Sequence, residues 1–180
     1  MAKLIPERED LLSAGFVAVD FETANRLGGI SACQIALVKV QDRQIVERYS
    51  TLIKPPEGWD RFEFTYLHGI GPSDVVHAPM WTDIAALVSD FVGDMPVWAH
   101  NSSFDSKVWR DLDAHFGTCT APDPVYCSYR TARRLIPGLA DYRLPTVVGA
   151  CAPHFHLTHH TADSDAEACA LIVAALQERT

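Results

Sequence analysis

An α/β domain with a mixed sheet is what this sequence predicts, on three observations. Three strand-like segments follow one another near the N-terminus with no helical pattern between them. Segments of helical periodicity then alternate with short apolar runs. No internal repeat, low-complexity tract or linker interrupts the 180 residues. Consecutive strands followed by alternating helices and strands describe an α/β domain in which the sheet mixes pair directions. One domain accommodates this length and can bury a sizeable core, so residues 1–180 are read as a single domain with residues 1–14 as an N-terminal extension.

The elements are justified in chain order. Phe16-Val17-Ala18-Val19 is a continuous apolar run, the mark of a strand buried on both faces. Ile35 to Val40 and Ile45 to Ile53 are two further strands, turning near Gln41-Asp42-Arg43, and Pro55-Pro56-Glu57-Gly58 opens a loop. Ile84, Leu87, Val88 and Phe91 recur at i, i+3, i+4 and i+7, which predicts an amphipathic helix starting near Pro79. Pro96 to Ala99 reads as a fourth strand, Ser103 to Phe116 as a helix with Val108, Leu112 and Phe116 on one side, and Val125 to Cys127 as a fifth strand. Helices over Tyr129 to Ile136, Leu144 to Cys151 and Ala162 to Gln177 complete the chain.

Composition narrows the function classes. The hydrophobic fraction of 48% and charged fraction of 21% are those of a globular protein. The N-terminus has no apolar core of a secretory signal, and the longest apolar run, Ala168 to Leu176, is too short to span a bilayer. The five cysteines are scattered with no C-x-x-C pair, which predicts reduced, mostly buried thiols and a cytoplasmic setting. A net charge of −8 argues against a non-specific duplex binder, whose affinity rests on neutralising phosphates. It leaves room for an enzyme that meets nucleic acid through bound cations.

Three short motifs carry the chemistry. Asp20-Phe21-Glu22 ends the first strand, and period-two alternation puts both carboxylates on one face, where they repel unless a hard divalent cation lies between them. Asp105 follows the polar turn His100-Asn101-Ser102-Ser103 in the first turn of a helix. With Ser102 or Ser103 as N-cap, it could equally be an acid that suits the helix dipole. His160 precedes the last helix, five residues before Asp165, with Asp163 or Ser164 as candidate caps. A loop histidine can swing and carry a proton near neutral pH.

Together the order Asp20-Phe21-Glu22-Thr23, His100-Asn101 to Asp105, and His160-x4-Asp165 resembles the DEDDh family, the DnaQ-like 3′–5′ exonucleases of the ribonuclease H-like fold. Leu67-His68-Gly69-Ile70 and the stretch from Leu135 to Leu144 add to the resemblance, which runs from about Gly15 to Leu176. It implies a mixed five-stranded sheet flanked by helices, with Asp20, Glu22, Asp105 and Asp165 holding two divalent ions, Mg²⁺ or Mn²⁺. His160 would be the base that deprotonates water, and the products nucleoside 5′-monophosphates. By the same resemblance, Phe21, Thr23, Glu63, Leu67, His68, Asn101 and Phe104 would contact the terminal nucleotide, although an aromatic at a helix start is more often core. The implied partner is a nucleic acid with a free 3′ end, single-stranded DNA first and RNA as the alternative. No membrane is implied. A polymerase or repair partner fits the resemblance to polymerase III epsilon-type domains, yet the short segment after the last helix favours a stand-alone nuclease. A non-catalytic adaptor would lack a carboxylate or the histidine, and all five are present.

Two clusters stand outside this motif. His154, His156, His159 and His160 suggest zinc, but no cysteine or acid is spaced as a structural zinc site needs. Arg130, Arg133, Arg134 and Arg143 form the basic concentration, either a phosphate track or a solvated helix face.

Overall fold

The computed structural model describes residues 4–180; the first three residues of the N-terminal extension lie outside the described residues. Five strands form one sheet: β1 Gly15–Thr23, β2 Ala32–Gln41, β3 Gln44–Leu52, β4 Val97–Ala99 and β5 Val125–Cys127, in the order β3-β2-β1-β4-β5. The β1–β2 and β2–β3 pairs are antiparallel, and β1–β4 and β4–β5 are parallel, so the sheet is mixed as the pattern predicts. The β2–β3 hairpin turns on Asp42 and Arg43, both at positive φ (49° and 64°), the backbone that a two-residue hairpin needs.

The helices are α1 Arg8–Leu11, α2 Thr65–His68, α3 Pro72–Val75, α4 Trp81–Val92, α5 Ser103–Phe116, α6 Ser128–Leu135, α7 Leu144–Cys151 and α8 Ala162–Gln177. Alternation along β1 explains its continuous apolar run. Phe16 and Ala18 pack into a core with α6, α7 and α8, while Val17, Val19 and Phe21 pack into a second core with α4 and α5. Both faces are covered, so nearly every position of the strand is buried.

The boundaries of α4 and its inward row depart from expectation. The helix starts at Trp81, with the Asp83 carboxylate accepting the Met80 N–H at 2.8 Å. Trp81, wholly buried, anchors the row, whereas Leu87 is 48% exposed. The heptad-like spacing of Leu87 is real, but the inward stripe runs through Trp81, Ile84, Ala85, Val88 and Phe91 and leaves Leu87 on its margin. The short helices α1, α2 and α3 have too few residues for a periodic pattern to announce them.

The N-terminal segment is part of the packed structure. The carbonyl of Leu4 accepts the Cys127 N–H of β5 at 2.7 Å. Leu11 is buried in the α8 core, and the Gln177 amide donates to the carbonyls of Leu11 and Ser13 at 2.9 Å each. All five cysteines are free thiols. Cys33, Cys127 and Cys169 are buried as expected, Cys151 is half-buried and Cys119 is exposed. Among the described residues no helix is long and apolar enough to cross a membrane.

Candidate active site

The parallel register assembles one edge of the site. Ala18 pairs with Trp98 and Trp98 with Tyr126, all facing the α8 side. Beyond these pairs, Asp20 lies near the end of β1, and His100 and Ser128 follow β4 and β5, with the His100 Nδ1 2.9 Å from the Ser128 hydroxyl. Asp20 and Glu22 share the α8 face of β1. Phe21 points the other way, with its ring centroid 6.3 Å from Trp81 and 5.7 Å from Trp109. The side chain of Phe21 is therefore core, and only its backbone can meet a ligand.

Asp105 arrives from the opposite face. It sits in the first turn of α5, 2% exposed, and accepts the Phe21 N–H at 3.1 Å across the top of the sheet. Neither serine caps this helix: Ser102 is the N-cap residue, but its hydroxyl makes no capping bond and is buried without a hydrogen-bond partner among the described residues. Asp105 is thus not the cap-region acid of a solvated helix end. Asp165 comes from the first turn of α8, 4% exposed. Thr161 is the N-cap residue there, without a side-chain cap. The Ser164 hydroxyl instead accepts the Thr158 N–H at 2.9 Å, so neither Asp163 nor Ser164 is the cap. Carboxylate oxygens of Asp20, Glu22 and Asp165 lie within 4.8 Å of one another.

Four acids gathered this way resist ionisation. Burial first, then the charges of Asp105, Asp165 and Glu22, hold the Asp20 carboxyl well above the usual carboxylate range. Burial and then Asp165 raise Glu22 to about 7. Burial raises Asp105 to about 8 against the opposing bond from the Phe21 N–H, and burial raises Asp165. Mutual repulsion contributes, but desolvation is the larger cause in every case. A cluster of hard oxygen donors that cannot all ionise alone fits divalent cations well.

Two imidazoles meet Asp165. The His159 Nδ1 lies 2.9 and 3.2 Å from its two oxygens, while His160 offers its backbone N–H at 3.0 Å. The two rings stack with centroids 3.8 Å apart, and His160 holds φ +64°. His159 is the more exposed of the pair. Its direct contact with Asp165 was not legible from the five-residue spacing that points to His160. Burial and the charge of His159 lower the His160 pKa against the pull of Asp165, so the nearby acids do not win there. The fold also supplies the acidic neighbour that spacing alone denied to the histidine cluster: His159, His160 and Asp165 form one group, without His154 or His156. Asp165 belongs equally to the four-acid cluster, so this is an edge of the same site.

The remaining residues divide. Thr23 is buried at the strand end, where its carbonyl takes the His68 Nε2–H at 3.1 Å while the His68 Nδ1 accepts the Ile70 N–H at 3.1 Å. Both nitrogens of His68 are thereby engaged, Nε2 latching α2 onto β1 and Nδ1 closing the turn to Ile70, which leaves only the ring face for a ligand. Leu67 and Phe104 are 40% and 44% exposed, so Phe104 is not the core aromatic that its place at a helix start suggests. Asn101, at φ +68°, shapes the turn into α5. Glu63 is clamped by Arg26 at 2.8 Å and Arg61 at 3.8 Å. Sequence reasoning assigned no role to His100, yet it sits at the edge of the site, where the charge of His159 acts on it. Its place directly after a strand parallel to β1 is the signal that would have found it.

Residues 17–173 match the RNase_T exonuclease family, and the chain belongs to that family. It is similar to the PolC-type DNA polymerase III of Caldanaerobacter subterraneus, 30% identical over 178 residues that make up 96% of this chain and 12% of that protein. The chain thus spans about an eighth of the length of that relative. Among solved structures, Exonuclease X in complex with 5′ overhanging duplex DNA aligns with a TM-score of 0.71 at 25% identity, covering 91% of both chains. The nuclease domain of 3′hExo, a DEDDh family member bound to rAMP, aligns with a TM-score of 0.78 at 13% identity over 92% of both chains, a likeness of fold. The ribonuclease H-like fold expected from the motifs is the fold observed.

Proposed function

We propose that this domain is a metal-dependent 3′–5′ exonuclease that removes nucleoside 5′-monophosphates from single-stranded DNA, in proofreading or repair. The observation that carries this is the convergence of Asp20, Glu22, Asp105 and Asp165, from three elements on both faces of the sheet, beside two imidazoles. The four acids would hold two Mg²⁺ or Mn²⁺ ions. When bound, such ions supply an activated water and neutralise charge on the reacting phosphate. The chain's own residues do the rest. Burial keeps competing water off the carboxylates, and the Phe21 N–H fixes Asp105 in place. His160 takes the proton of the attacking water, and the Asp165–His159 contact holds the loop that carries it. A lowered pKa keeps the His160 ring neutral and able to accept.

DNA is preferred over RNA because Exonuclease X, 91% of whose chain is covered, is seen with DNA and the similar PolC-type protein is a DNA polymerase. A 5′-labelled strand of DNA and one of RNA, each with and without Mg²⁺, test the proposal. The expected outcome is a Mg²⁺-dependent ladder on DNA that a 3′-phosphate blocks. Immediate release of the labelled nucleotide would mean the opposite polarity and refute it.

A further inference from the structure

The ends of β4 and β5 lead away from the acids into a surface that the four-acid site does not use. His100 stands at the edge of that site, where the charge of His159, the partner of Asp165, acts on it, and its ring nitrogens are both engaged. Nε2 is 2.9 Å from the Tyr142 carbonyl and Nδ1 is 2.9 Å from the Ser128 hydroxyl. A carbonyl only accepts, so Nε2 carries the hydrogen and Nδ1 accepts from Ser128. Burial lowers the His100 pKa to about 4, which keeps this neutral arrangement in place. The ring thereby bolts the end of β4 to the start of α6 and to the loop before α7.

Two tyrosines lie over this bolt. Tyr129 meets the His100 ring edge-on at 5.9 Å, and Tyr142 meets Tyr129 at 6.2 Å; both are partly exposed. Helical spacing then sorts the arginines of α6. Arg133 follows Tyr129 by four residues and shares its flank, the flank that faces Tyr142. Arg130 and Arg134 share the other flank, where Arg134 lines a cavity with Ile5, Pro6 and Arg8. Arg143 adjoins Tyr142 directly. Among the described residues neither Arg133 nor Arg143 has a carboxylate within 4 Å, in a chain of net charge −8. Asp141 feels the charge of Arg143 without pairing with it closely. In so acidic a protein, exposed guanidinium groups held in no close ion pair, set beside aromatic rings, suit a flexible polyanion whose bases can stack.

We infer that Tyr129, Arg133, Tyr142 and Arg143 form the track for the nucleotides on the 5′ side of the scissile bond, with His100 as the positioning residue that aligns this track with Asp20. The inference rests on the exonuclease assignment and adds where the strand runs and why it is single: rings accept unpaired bases, and two arginines grip one backbone. It also divides the basic cluster, giving Arg133 and Arg143 to the substrate and Arg130 to solvent.

The test compares two substrates. A 12-nucleotide oligo-dT reaches the track, whereas the p-nitrophenyl ester of thymidine 5′-monophosphate occupies only the acid site. Arg143→Ala and Tyr142→Ala are each expected to raise KM for the oligonucleotide about tenfold. The ratio of oligonucleotide to ester kcat/KM should fall by the same factor. Anisotropy of the labelled strand with Ca²⁺ in place of Mg²⁺ should show the salt slope reduced by about 0.7 for each arginine removed. Arg130→Ala should leave the ratio and the slope as they are. Equal losses on both substrates, or an Arg143→Ala protein with wild-type ratio and slope, would overturn the track. A wild-type protein inactive on both substrates would overturn the exonuclease assignment and the track with it.

Discussion

Glu22 offers a test that needs no substrate. Its carboxyl rises from 4.5 to about 7 in the folded protein, chiefly through burial and then through Asp165. A folded-state pKa above the unfolded one means that the native protein binds the proton more tightly. The associated stability is complete below pH 4.5 and is lost as pH climbs through 7. At 1.36 kcal/mol per unit, the loss is about 3 kcal/mol. Glu22→Gln cannot ionise and escapes it. In EDTA the variant should therefore match wild type near pH 4.5 and exceed it by about 3 kcal/mol at pH 8. His100 titrates in the opposite sense over pH 4 to 6.5, since its pKa is lowered to about 4, but it contributes equally to both proteins and cancels. Urea denaturation is the assay, read from the buried Trp81, Trp98 and Trp109. Saturating Mg²⁺ should nearly close the gap, because a ligand held only by the native state adds about 2.7 kcal/mol at a hundred times its Kd. A difference between variant and wild type that does not change with pH would refute the reasoning.

Further outcomes follow from the same geometry. Asp105→Ala and Asp20→Ala should lose turnover in Mg²⁺ while the urea midpoint in EDTA holds or rises, since each removes a buried, repelled acid; an Asp105→Ala enzyme of near wild-type rate would return that residue to a helix-end role. His160→Ala should lower kcat by about 10² to 10⁴, the worth of a positioned base, and His159→Ala should cost less. If His159→Ala proves the damaging change and His160→Ala mild, the imidazole that touches Asp165 is itself the base. Because burial and His159 hold the His160 pKa below 6.5, the acid limb of a kcat profile should lie below pH 6.5, and a limb centred above 7 would contradict the environment seen for that ring.

Much of this was readable in the chain, for definable reasons. Strands and long helices declared themselves because β1 is apolar on both faces and α5 and α8 each carry enough turns for a periodic stripe. Strand alternation put Asp20 and Glu22 on one face, whereas Asp105 and Asp165 joined them only through the resemblance, since an acid in a first turn equally suits a helix end. The contact between His159 and Asp165 was not legible, since it depends on the positive φ of His160, which turns the loop and has no marker in residue spacing. Phe104 was ambiguous because an aromatic at a helix start has no periodic neighbours to assign its face. His100 was hidden because its role comes from a parallel partner strand distant in sequence, and nothing local reveals that pairing.

The bond from Cys127 to Leu4 bears on how this molecule can associate. Exposed strand edges are templates for adding further strands, and a chain limits that hazard by covering or charging them. On the β5 side, the N-terminal segment already occupies a donor of the outermost strand. The opposite edge, β3, ends the sheet and carries Glu47 and Arg48 along its length. The two edges are therefore guarded by different means, cover by the N-terminal segment at β5 and charge at β3, and strand addition by a second copy or an extended peptide is resisted at both.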